Sequence, residues 1–303
     1  MRVIITGAFG YLGQVLTRRL AAFHDVIAIG HPSRAPIPTP AGVEVIHGDL
    51  KLAAERLDAR TAIIHLAGGG GEARCRQDPV DAVRTIIGGT SLLAAAARAA
   101  ASPVRLFASS IFVYGTYRVP TGPYSEADAT EADDLYGVCK ATAEHVWTAH
   151  GGGTALRIAN IYGAGCGVDL GIQGAIERFG RAAALGGELT IYGEGTQRID
   201  YVNVDDVAMA FERALTAPVG TLPSAINIGG GAPVAIGDLA RTCIRAAELL
   251  GEHPTLTSIP PPEGRLWPDR CLSIDRARDV LGWQPRVALA DGVRDLIQMM
   301  RPR

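Results

Sequence analysis

The sequence has few cysteines and no excess charge of either sign. Its five cysteines are scattered along 303 residues, and no two of them form a Cys-x-x-Cys pair, so neither a disulfide framework nor a zinc site is indicated. The formal net charge of -2 creates no long-range field that would attract a polyanion. We therefore expect reduced thiols, no bound metal and no nucleic-acid partner.

Long hydrophobic runs are absent as well. The longest weakly polar run, "SLLAAAARAAASPV" at residues 91–104, is too short to span a bilayer and contains Arg98. The chain begins with the strand-like "RVIIT" of residues 2–6, without a basic region followed by an apolar one. We therefore expect no signal peptide, no membrane partner and a cytoplasmic location.

Short, β-branched apolar runs recur along the first half of the chain, and helical patterns separate several of them. In the first helical pattern Leu12, Val15, Leu16, Leu20 and Phe23 fall on one stripe. The runs suit strands buried on both faces, and alternation of strand and helix favours right-handed crossovers. We therefore predict an α/β fold with a doubly wound parallel sheet of the Rossmann type. The runs lie at residues 3–6, 26–29, 43–46, 62–66, 104–108 and 155–159.

A glycine-rich loop connects the first predicted strand to the first helix. In "VIITGAFGYLG", Gly7, Gly10 and Gly13 follow the strand at intervals of three residues. A tight turn of this kind lets backbone N–H groups approach a pyrophosphate at the helix N-terminus, where the helix dipole favours anions. The position of the loop is the one that a dinucleotide site requires.

The pattern changes after about residue 163, where "GAGCGVDLGIQGAI" is rich in glycine and the later "IPPPEGRLWPDR" is rich in proline. We predict a dinucleotide-binding domain made of residues 1–163 and 198–232. Residues 164–197 and 233–303 are expected to form a smaller, mixed α/β C-terminal cap that binds the substrate.

The loop "TGAFGYLG" resembles the cofactor loop of the extended short-chain dehydrogenase/reductases, in particular the NAD(P)-dependent epimerase/dehydratase family that acts on nucleotide sugars. Further segments resemble that family in the same order along most of the chain. They are "GDL" (48–50), "HLAG" (65–68), "SSIFVYG" (109–115), "YGVCK" (136–140), "LRIANIYGAG" (156–165), "IYGEGTQRIDYVNVDDVA" (191–208), "INIGGG" (226–231) and "ARDVLGWQP" (277–285).

Tyr136 and Lys140 are four residues apart, so a helix places them on one face. An ammonium beside a phenol is expected to lower the pKa of the phenol from about 10 toward neutral pH. The resemblance implies that Tyr136 exchanges a proton with a sugar hydroxyl or ketone and that Lys140 also holds the nicotinamide ribose. It implies that Ser110, rather than Ser109, hydrogen-bonds the reacting oxygen.

The end of the second strand bears on the choice of cofactor. An acidic side chain usually accepts hydrogen bonds from the adenosine ribose there, but Gly30 holds this place and Ser33 and Arg34 follow. A hydroxyl and a guanidinium suit an additional phosphate, which favours NADP(H) over NAD(H). The resemblance implies dinucleotide contacts by Gly7, Phe9, Gly10, Tyr11, Leu12, Gly13, Ser33, Arg34, Asp49, Leu50, Leu66, Ala67, Gly68, Tyr136 and Lys140.

On the substrate side, the resemblance implies that Asn160, Arg198 and Arg265 bind the diphosphate or the sugar of a nucleotide-diphosphate sugar. The acidic pair of 4,6-dehydratases is replaced by Ile111 and Phe112, which disfavours dehydration. Ile86 stands where the family has an asparagine, which puts a water-mediated proton path to Lys140 in doubt.

Two reactions at the sugar C4 are left. The missing acidic residue at the end of the second strand favours 4-keto reduction over 4-epimerisation with a retained cofactor. A non-catalytic protein that senses dinucleotide or serves as a scaffold is the alternative of another class. The family also implies a homodimer, formed through two helices that include the Tyr136 helix.

Overall fold

The computed structural model describes residues 1–33, 38–68, 71–115, 122–165, 174–263 and 269–302. Strands in these residues are β1 (Arg2–Thr6), β2 (Asp25–Gly30), β3 (Glu44–His47), β4 (Thr61–His65), β5 (Arg105–Ser110), β6 (Thr154–Ile158), β7 (Asn160–Tyr162), β8 (Glu188–Tyr192), β9 (Arg198–Asn203), β10 (Ala225–Ile228), β11 (Pro233–Ala235) and β12 (Thr255–Ile259).

The α-helices are α1 (Tyr11–Ala21), α2 (Leu50–Ala54), α3 (Gly71–Gln77), α4 (Pro79–Ala82), α5 (Gly89–Ala99), α6 (Leu135–His145), α7 (Ala175–Ala184), α8 (Val204–Thr216), α9 (Ile236–Glu248), α10 (Asp275–Leu281) and α11 (Leu289–Met300). A 3₁₀ turn at Ile111–Tyr114 follows β5, and wider π-helical turns lie at Val83–Gly88 and Val146–His150.

Seven parallel strands form the main sheet, in the order β10-β6-β5-β4-β1-β2-β3. The chain runs from β1 outward to β3 and then returns to β4 on the other side of β1, so the strand order reverses between β1 and β4. Ligands of open parallel sheets bind at the carboxyl ends of strands beside such a reversal. The predicted doubly wound fold is confirmed.

The α1 pattern predicted from the sequence is correct except at its end. Leu12, Val15, Leu16 and Leu20 are buried against the main sheet. Phe23 was expected on the same stripe, but α1 ends at Ala21 and the Phe23 side chain is 74% exposed. The stripe therefore spans one turn less than the sequence suggested.

A separate apolar cluster lies away from the main sheet. It unites the buried faces of α7, α9 and α11, and includes Tyr162, Tyr201 and Leu296. Two small sheets accompany it, β11-β9-β7 and β12-β8, and β11 runs antiparallel to β9. This mixed α/β unit agrees with a smaller cap, and the exact division of the chain into two domains stays a prediction.

Among the described residues, one helical run, Pro79–Ala99, is long and apolar enough by composition to cross a membrane. Leu93, Ala94 and Ala97 in this run are fully buried in the core beneath the main sheet. The run therefore packs as a core helix of the sheet.

Candidate active site

The glycine loop is shaped by close backbone packing at the reversal point. Gly7 has a positive φ of 71°, and a Cβ added there would lie 2.7 Å from the backbone nitrogen of Ala67, in the loop after β4. A Cβ on Gly13 would lie 2.2 Å from the Gly7 carbonyl oxygen. Both positions therefore need glycine, and they bring the predicted residues Leu66 and Ala67 beside the loop after β1.

The N-terminus of α1 has the features of an anion site. Gly10 is its N-cap and supplies no side-chain hydrogen bond, and the first turn carries no acidic residue. The first backbone N–H groups of a helix have no partner within the helix itself. A dinucleotide pyrophosphate fits this arrangement of N–H groups and helix dipole. The Tyr11 hydroxyl donates to the Gly163 carbonyl at 2.7 Å, which connects the helix to the end of β7.

Buried polar side chains hold the loop in place. Thr6 contacts His65 Nδ1 at 2.7 Å, and His65 Nε2 contacts the Thr90 hydroxyl at 3.0 Å. Because Thr90 donates to the Ile86 carbonyl, His65 Nε2 carries the proton and Nδ1 accepts from Thr6. Burial, with a smaller effect of Lys140, lowers the pKa of His65 to about 3. His65 is therefore a neutral, buried residue of the core.

The end of β2 differs from its sequence interpretation. The missing side chain at Gly30 was expected to leave room for a phosphate, but the Phe9 ring occupies that space, 2.0 Å from a Cβ added at Gly30. Ser33 is exposed, and its hydroxyl lies 2.6 Å from His31 Nδ1. Arg34 lies outside the described residues. Glycine at this position is thus explained by packing against Phe9.

Two further predicted cofactor residues lie at the start of α2. Asp49 is its N-cap, and its carboxylate accepts from the Lys51 backbone N–H at 2.9 Å. Leu50 is half-buried, and a Cβ added at Gly89 would lie 2.6 Å from its side chain. Gly68 has a positive φ of 89°, and an added Cβ there would lie 3.3 Å from Ile86. Their dinucleotide contacts stay predictions.

The structure brings Ser110, Tyr136 and Lys140 together. Ser110 ends β5, and its hydroxyl hydrogen-bonds Tyr136, whereas the Ser109 hydroxyl donates to Glu144 at 2.5 Å. Lys140 Nζ lies 5.9 Å from the Tyr136 ring centroid and donates to the Ala108 carbonyl at 2.9 Å. The residues chosen for proton transfer therefore form one cluster at the carboxyl end of β5.

The electrostatics of this cluster correct one expectation. Lys140 was expected to lower the pKa of Tyr136, but burial raises it to about 12, and the Ser110 hydrogen bond opposes this only in part. Burial also lowers the pKa of Lys140 to about 8. Removal from water destabilises both the phenolate and the ammonium. Burial therefore favours the protonated phenol of Tyr136 over the phenolate.

Two of the predicted substrate residues, Asn160 and Arg198, lie in the described part of the chain. Asn160 is half-buried and its amide donates to the Asp200 carbonyl at 3.0 Å. Arg198 is exposed, and its guanidinium donates to the Pro233 carbonyl at 3.3 Å. Among the contacts of the described residues, none joins Arg198 to Tyr136. Arg265 lies outside the described residues.

Sequence analysis missed Arg270 as a candidate. Its Cζ lies 4.9 Å from the Phe112 ring, and Phe112 packs edge-on against Tyr136 with 5.7 Å between ring centroids. Among the described residues, Arg270 Nε and Nη1 are buried without a hydrogen-bond partner. An arginine after a proline-rich segment carries no pattern that separates it from a surface arginine, so no sequence motif indicated Arg270.

Comparison with known proteins gives the family of this site. Residues 3–229 match the sequence profile of the NAD dependent epimerase/dehydratase family. The chain is 31% identical to the UDP-glucose 4-epimerase of Mycolicibacterium smegmatis over 318 aligned positions, which cover 99% of each protein. It is 30% identical to the dTDP-6-deoxy-L-talose 4-dehydrogenase (NAD(P)(+)) of Kitasatospora kifunensis, over 97% of this chain and 94% of that protein.

A solved structure supports the same assignment. MoeE5 in complex with UDP-glucuronic acid and NAD superimposes with a TM-score of 0.84 at 28% identity, over 99% of this chain and 98% of that chain. The chain therefore belongs to the NAD dependent epimerase/dehydratase family, and it is a nicotinamide-dinucleotide-dependent enzyme of the extended short-chain dehydrogenase/reductase type.

Proposed function

We propose that this enzyme reduces the 4-keto group of a nucleotide-diphosphate sugar to a hydroxyl. A nicotinamide dinucleotide, when bound, supplies the hydride. The observation that carries the proposal is the Ser110–Tyr136–Lys140 cluster with a protonated phenol at its centre. Reduction of a ketone needs a proton donor at the reacting oxygen, and Tyr136 holds that proton with Ser110 beside it.

The side chains around Tyr136 support this choice over dehydration. Ile111 is buried in the core and Phe112 packs on Tyr136, so neither position offers the carboxylate that would remove a proton from the sugar. Loss of water needs an acid and a base at neighbouring carbons. Among the described residues, the carboxylate that acts on Tyr136 belongs to Asp134, and it caps α6 by accepting from the Gly137 N–H.

Reversible 4-epimerisation with a retained cofactor is the second candidate. It is favoured by the similarity over the whole chain to a protein named UDP-glucose 4-epimerase. In this reaction the same Tyr136 would first accept a proton as a phenolate and later return it. The pKa of about 12 makes the accepting step the harder one in the protein without cofactor.

Turnover without added cofactor distinguishes the two reactions. Purified enzyme is incubated with UDP- or dTDP-hexoses alone, and the products are separated by HPLC. An epimerase interconverts the 4-epimers under these conditions, whereas a reductase does so only to the extent of bound dinucleotide. The reductase instead consumes NADPH or NADH, measured at 340 nm, when a 4-keto sugar nucleotide is supplied. The non-catalytic alternative predicts neither result.

For the substrate we propose that Arg270 binds the negatively charged part of the nucleotide sugar, with Asn160, Arg198 and Arg265 as further candidates. The Phe112 ring contacts both Arg270 and Tyr136. Nε and Nη1 of Arg270, which have no partner among the described residues, suit a phosphate or a carboxylate. Substrate binding would then supply partners to Nε and Nη1 of Arg270, which have none among the described residues.

For the cofactor we propose NADP(H) over NAD(H), because β2 ends without a carboxylate and Ser33 and Arg34 follow. The family description names NAD. Titration with both reduced dinucleotides tests the preference, and it fails if NADH binds as tightly as NADPH. An Arg34→Ala variant with unchanged NADPH affinity would remove Arg34 from the site.

We also propose a cytoplasmic homodimer without membrane or nucleic-acid partners. Several apolar side chains are exposed on α6, which is one of the two helices expected to form the dimer, and on the helical run 79–99. They are Val80, Val83, Leu92 and Val138. Apolar patches of this kind mark interfaces, and sedimentation equilibrium of the wild type and of Val138→Glu tests the dimer.

A further inference from the structure

The backbone conformation at residue 30 does not require a glycine. Its φ lies outside the left-handed region that favours glycine, unlike that of Gly7 in the neighbouring loop. A Cβ built on Gly30 would instead lie 2.0, 2.2 and 2.3 Å from three carbons of the Phe9 ring. Real Cβ atoms do not approach other atoms so closely, so any side chain at residue 30 requires the ring to move.

Phe9 is held over the end of β2 by its surroundings. The ring is 2% exposed, and its centroid lies 4.8 Å from that of His47 at the end of β3. The neighbouring backbone is fixed on both sides, since Ala8 N–H donates to the Ile29 carbonyl at 3.1 Å and Gly48 N–H donates to the Gly30 carbonyl at 3.0 Å. The Phe9 ring is therefore packed in a fixed position between the ends of β2 and β3.

In a doubly wound sheet the adenosine ribose of a dinucleotide lies against the end of β2, where Phe9 and Gly30 pack together in this protein. A carboxylate there accepts hydrogen bonds from the ribose hydroxyls and repels a 2′-phosphate, whereas a phenyl ring does neither. We propose that Phe9 and Gly30 form a matched pair that replaces this carboxylate. The pair sets selectivity between NAD(H) and NADP(H), and both residues must change together to restore selectivity for NAD(H). The inference rests on the proposed preference for NADP(H).

Binding measurements on single and double variants test the pair without depending on turnover. Wild type, Phe9→Ala, Gly30→Asp and the double variant are titrated with NADH and NADPH by nicotinamide fluorescence, and their Tm values are recorded. Gly30→Asp alone is expected to lower Tm and to weaken the binding of both dinucleotides, because the Phe9 ring occupies the space of the new side chain. Phe9→Ala alone should leave the ratio of the two affinities within about threefold of the wild-type ratio, since it adds no charge.

The double variant should recover most of the Tm lost in Gly30→Asp and should shift the affinity ratio toward NADH by roughly tenfold or more, the usual effect of one charged hydrogen bond. Phe9→Ala with Gly30→Asn is the matched control, because it has the same size without the charge, and it should show a clearly smaller shift.

The inference is overturned if Gly30→Asp alone shifts the ratio as far as the double variant does without loss of Tm. It is also overturned if the double variant leaves the ratio unchanged. A wild type that binds NADH more tightly than NADPH contradicts the proposed cofactor preference instead, and the change of ratio between variants still tests the pair.

Discussion

The Glu144 carboxylate and the Arg157 guanidinium form a bidentate ion pair with a closest distance of 2.6 Å, and both side chains are 8% exposed. Glu144 lies on the same face of α6 as Tyr136 and Lys140, because residues four apart share a helix face. Ser109, next to Ser110, donates to the same carboxylate. The pair therefore fixes the helix of the proton-transfer residues to strands β5 and β6.

Removing one member of this pair should destabilise the fold. Arg157→Met leaves a buried carboxylate without its main partner, and we expect it to lose about 3–5 kcal/mol of unfolding free energy. The double variant Glu144→Leu/Arg157→Met should lose less than the sum of the two single variants, since no charge is then left unpaired. Urea unfolding measures these values.

Arg294→Met is the control for that experiment, because it removes a surface pair with Asp291 in which both side chains are largely exposed. Its effect should stay within about 0.5 kcal/mol. Strictly additive losses at Glu144 and Arg157 would show that the two side chains are not energetically coupled.

Tyr136→Phe should abolish most turnover while leaving binding intact. Loss of a positioned proton donor costs roughly 10²–10⁴-fold in rate, so kcat should fall by that factor. The affinities for dinucleotide and nucleotide sugar should change little, because the ring and its contact with Phe112 are retained. Ser110→Ala should lower kcat less. A Tyr136→Phe enzyme with near-normal kcat would remove Tyr136 from the reaction.

Stability should depend on pH through Lys140. Burial lowers its pKa to about 8 in the folded protein from the usual 10.5, so between pH 8 and 10.5 the unfolded chain binds more protons than the folded one. The unfolding free energy then rises with pH in this window, by at most about 1.4 kcal/mol per pH unit. Below pH 8 Lys140 is protonated in both states and contributes no slope.

The buried thiols of Cys75 and Cys139 act in the opposite direction, because their pKa values are raised by burial. The Lys140 contribution is therefore measured as the difference between wild type and Lys140→Met, each unfolded in urea at several pH values from 7.5 to 10. Parallel curves for the two proteins would show that Lys140 has an ordinary pKa in the folded state.

Sequence patterns were sufficient for the sheet and for the proton-transfer cluster, for a local reason. Buried parallel strands read as continuous apolar runs, and the spacing of Tyr136 and Lys140 fixes their relation within one helix. The glycine loop is equally local, since its strand, turn and helix are consecutive. Features of this kind depend on residues within a few positions of one another.

Features that depend on contacts between distant segments were not predictable in the same way. The sequence shows that Gly30 lacks a side chain, but only the structure shows that Phe9 fills the space. The pKa of Tyr136 is dominated by burial rather than by the nearby lysine, and burial is set by the whole fold. Arg270 reaches Phe112 across 158 residues of chain.

Arg270 should show opposite effects on stability and on binding. Its Nε and Nη1 are buried without partners among the described residues, and burial lowers its pKa, which indicates a desolvated charge. Asp133 and Asp134 raise the pKa less than burial lowers it, and a charge that is removed from water with incomplete hydrogen bonding destabilises the fold. Arg270→Met keeps much of the side-chain volume and removes the charge, so it should raise the unfolding free energy.

The same substitution should weaken binding of the nucleotide sugar by roughly tenfold to a hundredfold, which is the contribution of hydrogen bonds to a charged group. The affinity for the dinucleotide should stay unchanged. Calorimetric titration with a UDP-sugar and urea unfolding measure the two quantities, and Arg294→Met again serves as the surface control. A variant that is less stable and binds the sugar nucleotide normally would assign Arg270 a structural role, because the stacking on Phe112 would then be the contribution that matters. Higher stability with weaker substrate binding is the combination expected of a binding residue whose charge is compensated only when the substrate is present.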